Sequence, residues 1–213
     1  MINKKGLLLV VSGPSGTGKG TICKDIVSKH EDINLSISAT TRKPRVGEVE
    51  GKSYFFKTKE EFEAMVDRGE FLEYAMIYDN YYGTPKKAIF DELDMGRDVI
   101  LEIEMQGAMQ IKEVYPQAVF IFVLPPSLQE LRNRIVGRGT ETDEQIEKRF
   151  NSAYDEIKLL GDYDYFIFNN IVEKSSEEIL NILEVEKNKV KRYKKDILDM
   201  FEKEIKNVKT IIK

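Results

Sequence analysis

The stretch Leu7-Leu8-Leu9-Val10-Val11-Ser12-Gly13-Pro14-Ser15-Gly16-Thr17-Gly18-Lys19-Gly20-Thr21 decides the architecture. Its first five residues form a continuous apolar run, the pattern of a strand covered on both faces of a parallel sheet. The glycines that follow let successive backbone N–H groups turn inward around an anion. A helix opens next, and its amino terminus adds partial positive charge. Strand, glycine-rich turn, lysine and helix in that order make a cradle for nucleotide phosphates, with Lys19 reaching the β and γ groups. Such loops normally place Ser or Thr directly after the lysine. Here Gly20 intervenes, and the hydroxyl arrives at Thr21.

Outward from the loop, two more continuous apolar runs, Asp98–Ile103 and Ala118–Leu124, read as buried parallel strands, and Tyr165–Phe168 as a shorter aromatic one. Helical patterns at Thr21–His30, Met109–Val114 and Leu128–Val136 separate them. This alternation predicts a doubly wound α/β core, a parallel sheet flanked by helices. Two stretches interrupt it. Residues 36 to about 90 read as short strands with one helix near Lys59–Arg68, and residues 128 to about 160 as charged helix. Beyond Ser175 the pattern stays helical. Six basic residues between Lys187 and Lys195 read as a solvated face. Ile197, Phe201, Ile205, Val208 and Ile212 then recur at helical spacing, which predicts packing on the body or on a partner chain.

Composition sets the outer bounds. The 213 residues suffice for one core, and 41% hydrophobic with 33% charged residues is ordinary for a globular chain. A net charge of −4 argues against nucleic-acid binding by bulk positive charge. One Cys excludes an internal disulfide, and with one His it leaves no thiolate–imidazole metal cluster. Lys4 and Lys5 ahead of the first apolar run imitate a signal peptide, but the run is too short and no cleavage site follows. No apolar stretch reaches the ~20 residues a bilayer span requires. The expectation is a soluble cytoplasmic protein with no membrane or nucleic-acid partner.

The chemistry narrows at Ser36-Ile37-Ser38-Ala39-Thr40-Thr41-Arg42-Lys43-Pro44-Arg45-Val46-Gly47-Glu48, continuing through Gly51 to Tyr54-Phe55-Phe56. Arg42 and Arg45 flank a stiffening proline, and guanidinium forks match phosphate oxygens two at a time. Tyr54 adds a neutral donor nearby. The run Thr40-Thr41-Arg42-x-x-Arg45-x-x-Glu48-x-x-Gly51-x-x-Tyr54-x-Phe56 resembles the signature of the guanylate kinase family at every fixed position. So do Phe71–Ala75, Asn80–Thr84, Ile100–Gly107 and Gly137–Thr142, in order, over about Gly6 to Leu183.

The resemblance implies a P-loop nucleoside monophosphate kinase fold in one domain. Its core would cover about 1–35, 92–127 and 161–213, with a GMP-binding insertion at about 36–91 and a lid at about 128–160. It implies phosphoryl transfer from ATP to GMP with Mg²⁺. The GMP phosphate would be held by Arg42, Arg45, Tyr54 and Tyr82. Glu73 and Glu104 would accept from the guanine N1–H and N2–H₂, and Ser38 and Thr84 would donate to O6. The ATP loop would be Gly13, Pro14, Ser15, Gly16, Thr17, Gly18, Lys19, Gly20 and Thr21, with Thr21 and Glu102 toward the metal and Asn169 near adenine. Arg134, Arg138 and Arg149 resemble the lid arginines that join Lys19 in neutralising the transferring group. The family usually has Asp where this chain has Glu104, one methylene longer, and Asn-Asp where it has Asn169-Asn170.

Other readings are discriminated by residues. A Ras-like switch would carry an Asn-Lys-x-Asp motif, absent here. A guanylate-kinase-like scaffold domain typically has a degraded loop, whereas Gly13, Gly18 and Lys19 are intact. Paired carboxylates disfavour AMP but leave dGMP open, and monomer and homodimer both remain. His30 reads as an exposed helix residue rather than a base.

Overall fold

The apolar run after Gly6 becomes β1 (Leu8–Ser12), buried at every position. The chain builds outward from it in a computed structural model that describes residues 4–77, 79–136 and 143–211, apart from the side chains at 143–146, 148–149 and 208–211. The loop leads to α1 (Lys19–Lys29) and the short strand β2 (Ile33–Leu35). An insertion follows, with β3 (Ala39–Thr40), β4 (Phe55–Phe56), α2 (Lys59–Asp67), β5 (Phe71–Ile77) and β6 (Asn80–Pro85). The core resumes with α3 (Lys86–Asp94), β7 (Asp98–Glu102), α4 (Met105–Val114) and β8 (Val119–Leu124). After α5 (Leu128–Val136) and α6 (Asp143–Ile157) come β9 (Tyr165–Phe168), α7 (Val172–Glu186) and α8 (Val190–Ile211).

Among the described residues, β2-β7-β1-β8-β9 form a five-stranded sheet, parallel at every pairing. Strand periodicity sends alternate β1 side chains to opposite faces. Leu9 and Val11 pack with Ile22, Cys23 and Ile26 of α1 and Ile179 and Leu183 of α7. Leu8 and Val10 pack with Ile89 and Leu93 of α3 and Ala108 and Ile111 of α4. Helices on both faces explain why the strands read as continuous apolar runs. Because every strand is parallel, the ends of β1, β7, β8 and β9 lie along one edge, where doubly wound sheets bind ligands.

The insertion forms its own sheet, β4-β3-β6-β5, antiparallel except at β3–β4. Phe62 of α2 is its hub, stacked on Phe71 at 4.4 Å and on Tyr81 at 5.2 Å between ring centroids. α2 carries a full capping box between Thr58 and Glu61. The chain rejoins the core at Lys86, so the boundary read near residue 91 falls inside α3, whose Ile89 and Leu93 belong to the central core. α4 begins at Met105, four residues ahead of the helical pattern read from the sequence, because Glu104 is extended and serves as its N-cap.

The basic run is not simply solvated, and this corrects the sequence reading. Lys187 pairs with Asp98 at 2.7 Å, and the same buried carboxylate accepts the Leu7 N–H at 2.8 Å. Glu186, 2% exposed, accepts from the Tyr165 hydroxyl at 2.6 Å, from Arg192 at 2.7 Å and from Lys189. Arg192 also donates to the Gln117 carbonyl at 3.0 Å. These contacts latch the start of α8 to the amino-terminal edge of the sheet. Farther along, Leu198, Phe201 and Ile205 are each more than half exposed.

Burial alone would push the Glu186 carboxyl up, but donors from Lys189, Tyr165 and Arg192 outweigh it and hold it low. Its contribution to stability is therefore present above the unfolded carboxylate range near ~4.3 and is lost as pH falls through the lower folded value. Glu186→Ala is expected to lower stability by about 2–3 kcal/mol by stranding two cations. The thermal midpoint should fall by about 5–10 °C at neutral pH, with a smaller difference in acid, as read by circular dichroism.

Candidate active site

The donor end is built on the turn between β1 and α1. Gly18, the N-cap of α1, has φ of 89°, a left-handed conformation that favours glycine. A Cβ there would also lie 2.4 Å from the Asn169 side-chain nitrogen. The Lys19 ammonium curls into the loop and donates to the carbonyls of Gly13 and Pro14, the latter at 3.2 Å. Thr17 donates its hydroxyl to the Pro14 carbonyl at 2.9 Å.

Asn169 and Arg134 brace this loop from outside. Asn169, 3% exposed, donates its amide to the Thr17 carbonyl at 2.7 Å. Arg134 donates to Glu130 at 2.8 Å, to the Asn169 carbonyl at 3.1 Å and to the Thr17 carbonyl at 3.4 Å. Both residues, read from the sequence as nucleotide contacts, here bond to protein backbone: Asn169 to the loop, Arg134 to the loop and to Asn169. Arg138 lies outside the described residues. Arg149 stands on α6, but its side chain lies outside them too.

The insertion gathers a cationic and aromatic cluster. Arg42 makes a two-pronged pair with Glu48 at 2.7 and 3.0 Å and donates to the Tyr82 hydroxyl at 3.2 Å. Its guanidinium lies 5.4 Å from the centre of the Tyr54 ring, and Tyr54 meets Tyr82 edge-on at 6.0 Å. The Glu48 hydrogen bonds push the Arg42 pKa up, so its charge is permanent. In return, Arg42 and then the Arg45 N–H hold the Glu48 carboxyl down. That N–H donates at 2.7 Å, so one carboxylate sets the whole Arg42–Arg45 turn. Glu48 had no role in the sequence reading, although its spacing from both arginines was the available signal. Arg45 is exposed, and Ser38, just ahead of β3, is half-buried.

A second polar centre sits on β5 and β6. A register shift between Phe71 and Tyr74 breaks the strand alternation, so Leu72 and Glu73 are both buried. Glu73 accepts the hydroxyl of the fully buried Thr84 at 2.5 Å. Thr84, read from the sequence as a donor to guanine O6, spends its proton on Glu73. Burial pushes the Glu73 carboxyl up, and the Thr84 bond holds it partly down. Glu104 is exposed at the N-cap of α4. Glu156 of α6, absent from the sequence reading, lies within electrostatic range of Glu104 and Lys19, and burial pushes its carboxyl up as well.

Glu102 ends β7 beside α1. Both of its oxygens lie 3.0 Å from where a Cβ on Gly20 would stand. The missing side chain at position 20 thus makes room for a carboxylate at the start of α1, one residue ahead of the exposed Thr21. Two hard oxygen donors of this kind suit Mg²⁺, which keeps several waters and takes most other ligands from phosphates. No group of three or more His, Cys, Asp or Glu that could hold a metal occurs among the described residues. No described helix is long and apolar enough to cross a membrane.

Comparison with known proteins shows the family. The family model described as guanylate kinase matches residues 5–186. The chain is 66% identical over 205 residues to a guanylate kinase of Clostridioides difficile (strain 630), covering 96% of this chain and all of that one. It is 55% identical over 193 residues to a guanylate kinase of Caldanaerobacter subterraneus subsp. tengcongensis, covering 91% and 94% of the two chains. The crystal structure of guanylate kinase from Anaplasma phagocytophilum superimposes with a TM-score of 0.73 at 36% identity, covering 89% of this chain and 90% of that one. A phosphate loop, an arginine-bearing insertion and relatives matched nearly end to end agree: the chain belongs to the guanylate kinase family.

Proposed function

We propose that this chain is an ATP:GMP phosphotransferase, moving the γ-phosphoryl group of MgATP onto GMP to give ADP and GDP in purine nucleotide metabolism. One observation supports the reading above the others. The Arg42–Tyr54–Tyr82 cluster and the buried Glu73–Thr84 pair share β6, which carries both Tyr82 and Thr84, in the sheet of the insertion. A phosphate at one end of the acceptor meets the cluster, and a donor-bearing purine edge at the other meets the carboxylate. Guanine offers N1–H and N2–H₂ there. Adenine offers a lone pair at N1, which would leave Glu73 facing an acceptor in a buried site.

The acceptor oxygen is already ionised, so no general base is needed, and alignment with charge neutralisation carries the reaction. Lys19 exchanges its two loop carbonyls for β- and γ-phosphate oxygens. Arg42, preset by Glu48, holds the GMP phosphate together with Arg45, Tyr54 and Tyr82. Arg134 and Asn169 keep the Thr17 carbonyl turned outward, which fixes the loop's shape. Arg138 and Arg149 supply lid charge, and closure of the lid over the phosphates excludes water. When bound, Mg²⁺ neutralises phosphate charge, and Thr21 and Glu102 would hold it directly or through its waters. Ser38 and Glu104 complete the guanine contacts, a pattern that reads base and phosphate and leaves dGMP open as an acceptor.

A coupled assay with ATP and a panel of nucleoside monophosphates should show turnover with GMP and little with AMP. Turnover with AMP in its place would reject the reading. Lys19→Ala should lower kcat by about 10²–10³-fold while calorimetry still detects GMP binding, and unchanged turnover would remove the loop from the mechanism. The raised Glu73 pKa has a definite sign: the ionised carboxylate accepts more strongly from guanine and offers both oxygens, whereas the protonated one adds a donor, so GMP affinity falls as pH drops, starting above the ordinary carboxylate range. Glu73→Gln should raise KM for GMP about 10–100-fold and lose the part of the acid limb that Glu73 contributes.

A further inference from the structure

The guanine-facing carboxylate stands on the insertion, yet its position is set by a helix of the core. Gly107 lies in the first turn of α4, and a Cβ built on it would sit 2.7 Å from Oε2, 3.0 Å from Cδ and 3.4 Å from Cγ of Glu73. The carboxylate therefore lies flat against the Gly107 backbone, at a distance that no side chain permits. One turn on, Gln110 pins the adjoining backbone of β5. Its side-chain oxygen accepts the Tyr74 N–H at 3.3 Å, and its amide donates to the Tyr74 carbonyl at 3.2 Å. Residues three apart share a helix face, so Gly107 and Gln110 make one seam against Glu73 and Tyr74. Glu104 stands three residues ahead of Gly107, at the N-cap of the same turn.

From this geometry, and resting on the GMP reading above, we propose that Gly107 and Gln110 of α4 are positioning residues for base selectivity. By letting Glu73 approach the first turn of α4, Gly107 fixes the spacing between Glu73 and Glu104, the two carboxylates that read guanine. An added methyl at position 107 has two ways out. It pushes the Glu73 carboxylate off its bond with Thr84, or it pushes α4 with Glu104 away from β5. Either change alters the distance between the two acceptors while leaving the phosphate cluster and the donor loop as they are.

The test compares Gly107→Ala and Gln110→Ala with the unaltered chain, using ATP with GMP or with IMP, which lacks the N2 amino group. Expected for Gly107→Ala is a rise in KM for GMP of about tenfold or more, with a smaller change in kcat, an unchanged KM for ATP and a reduced preference for GMP over IMP. Because alanine favours helix over glycine, a purely structural role predicts a shift in thermal midpoint without that split. Gln110→Ala adds no bulk and should move the same ratio in the same direction, so it carries the test if the alanine at 107 prevents folding. Adding Glu73→Gln to Gly107→Ala should cost less than Glu73→Gln costs alone, as coupling through one carboxylate requires. GMP kinetics and the GMP:IMP ratio left unchanged by both single variants would overturn the inference while the GMP reading stands. Absence of GMP turnover in the unaltered chain would instead reject that reading.

Discussion

A loop that turns its amides toward an anion must send its carbonyls elsewhere, and the rest of this fold is arranged around that requirement. The Pro14 carbonyl takes the Thr17 hydroxyl and Lys19, and the Thr17 carbonyl takes the Asn169 amide with Arg134 behind it. Those partners come from the start of α1, the end of β9 and the body of α5. The loop therefore holds its shape only when the parallel sheet has assembled and α5 has docked. Leu131 and Ile135 of α5 reach within 3.1 Å of a side chain built on Gly16, so that helix packs on the loop as well as bonding to it.

The buried carboxylates divide by environment into two kinds. Asp98 and Glu186 are saturated with donors and latch β7 and α8 into the body. Glu73 has the Thr84 hydroxyl on one oxygen, while burial pushes its pKa up. Saturation makes a carboxylate structural, because nothing remains for a ligand to offer it. A desolvated carboxylate with acceptor capacity to spare binds a donor-bearing ligand strongly and rejects an acceptor-bearing one. Glu48 falls between these kinds: it uses its oxygens to preset Arg42 and the Arg45 turn, leaving the guanidinium edge aimed by its neighbours.

Much of the fold was legible because burial on both faces leaves a one-dimensional trace. β1, β7, β8 and β9 follow the apolar runs to within a residue or two. The helix starts were less legible. α1 begins at Lys19 and α4 at Met105 because a left-handed Gly18 and an extended Glu104 cap them, and neither conformation leaves an apolar signature. The inward turn of Glu73 depends on a bulge, which breaks the very alternation by which strands are read. The latch of the basic run was invisible for a related reason: its partners, Asp98 and Glu186, are charged residues buried only because distant segments close over them.

By itself, the sequence determined the parallel α/β core and the glycine-rich loop, since continuous apolar runs and glycine spacing are local properties of the chain, and the run Thr40–Phe56 carried the resemblance to the family. Tertiary structure alone decided which polar groups face a ligand and which face one another. Thr84 bonds to Glu73, Asn169 to Thr17 and Lys187 to Asp98, and in each pair a polar group of ambiguous purpose is committed by a neighbour that the fold brings within 3 Å. A hydrogen-bonding group takes its role from its partner, and partners far apart in the chain meet only in the folded protein.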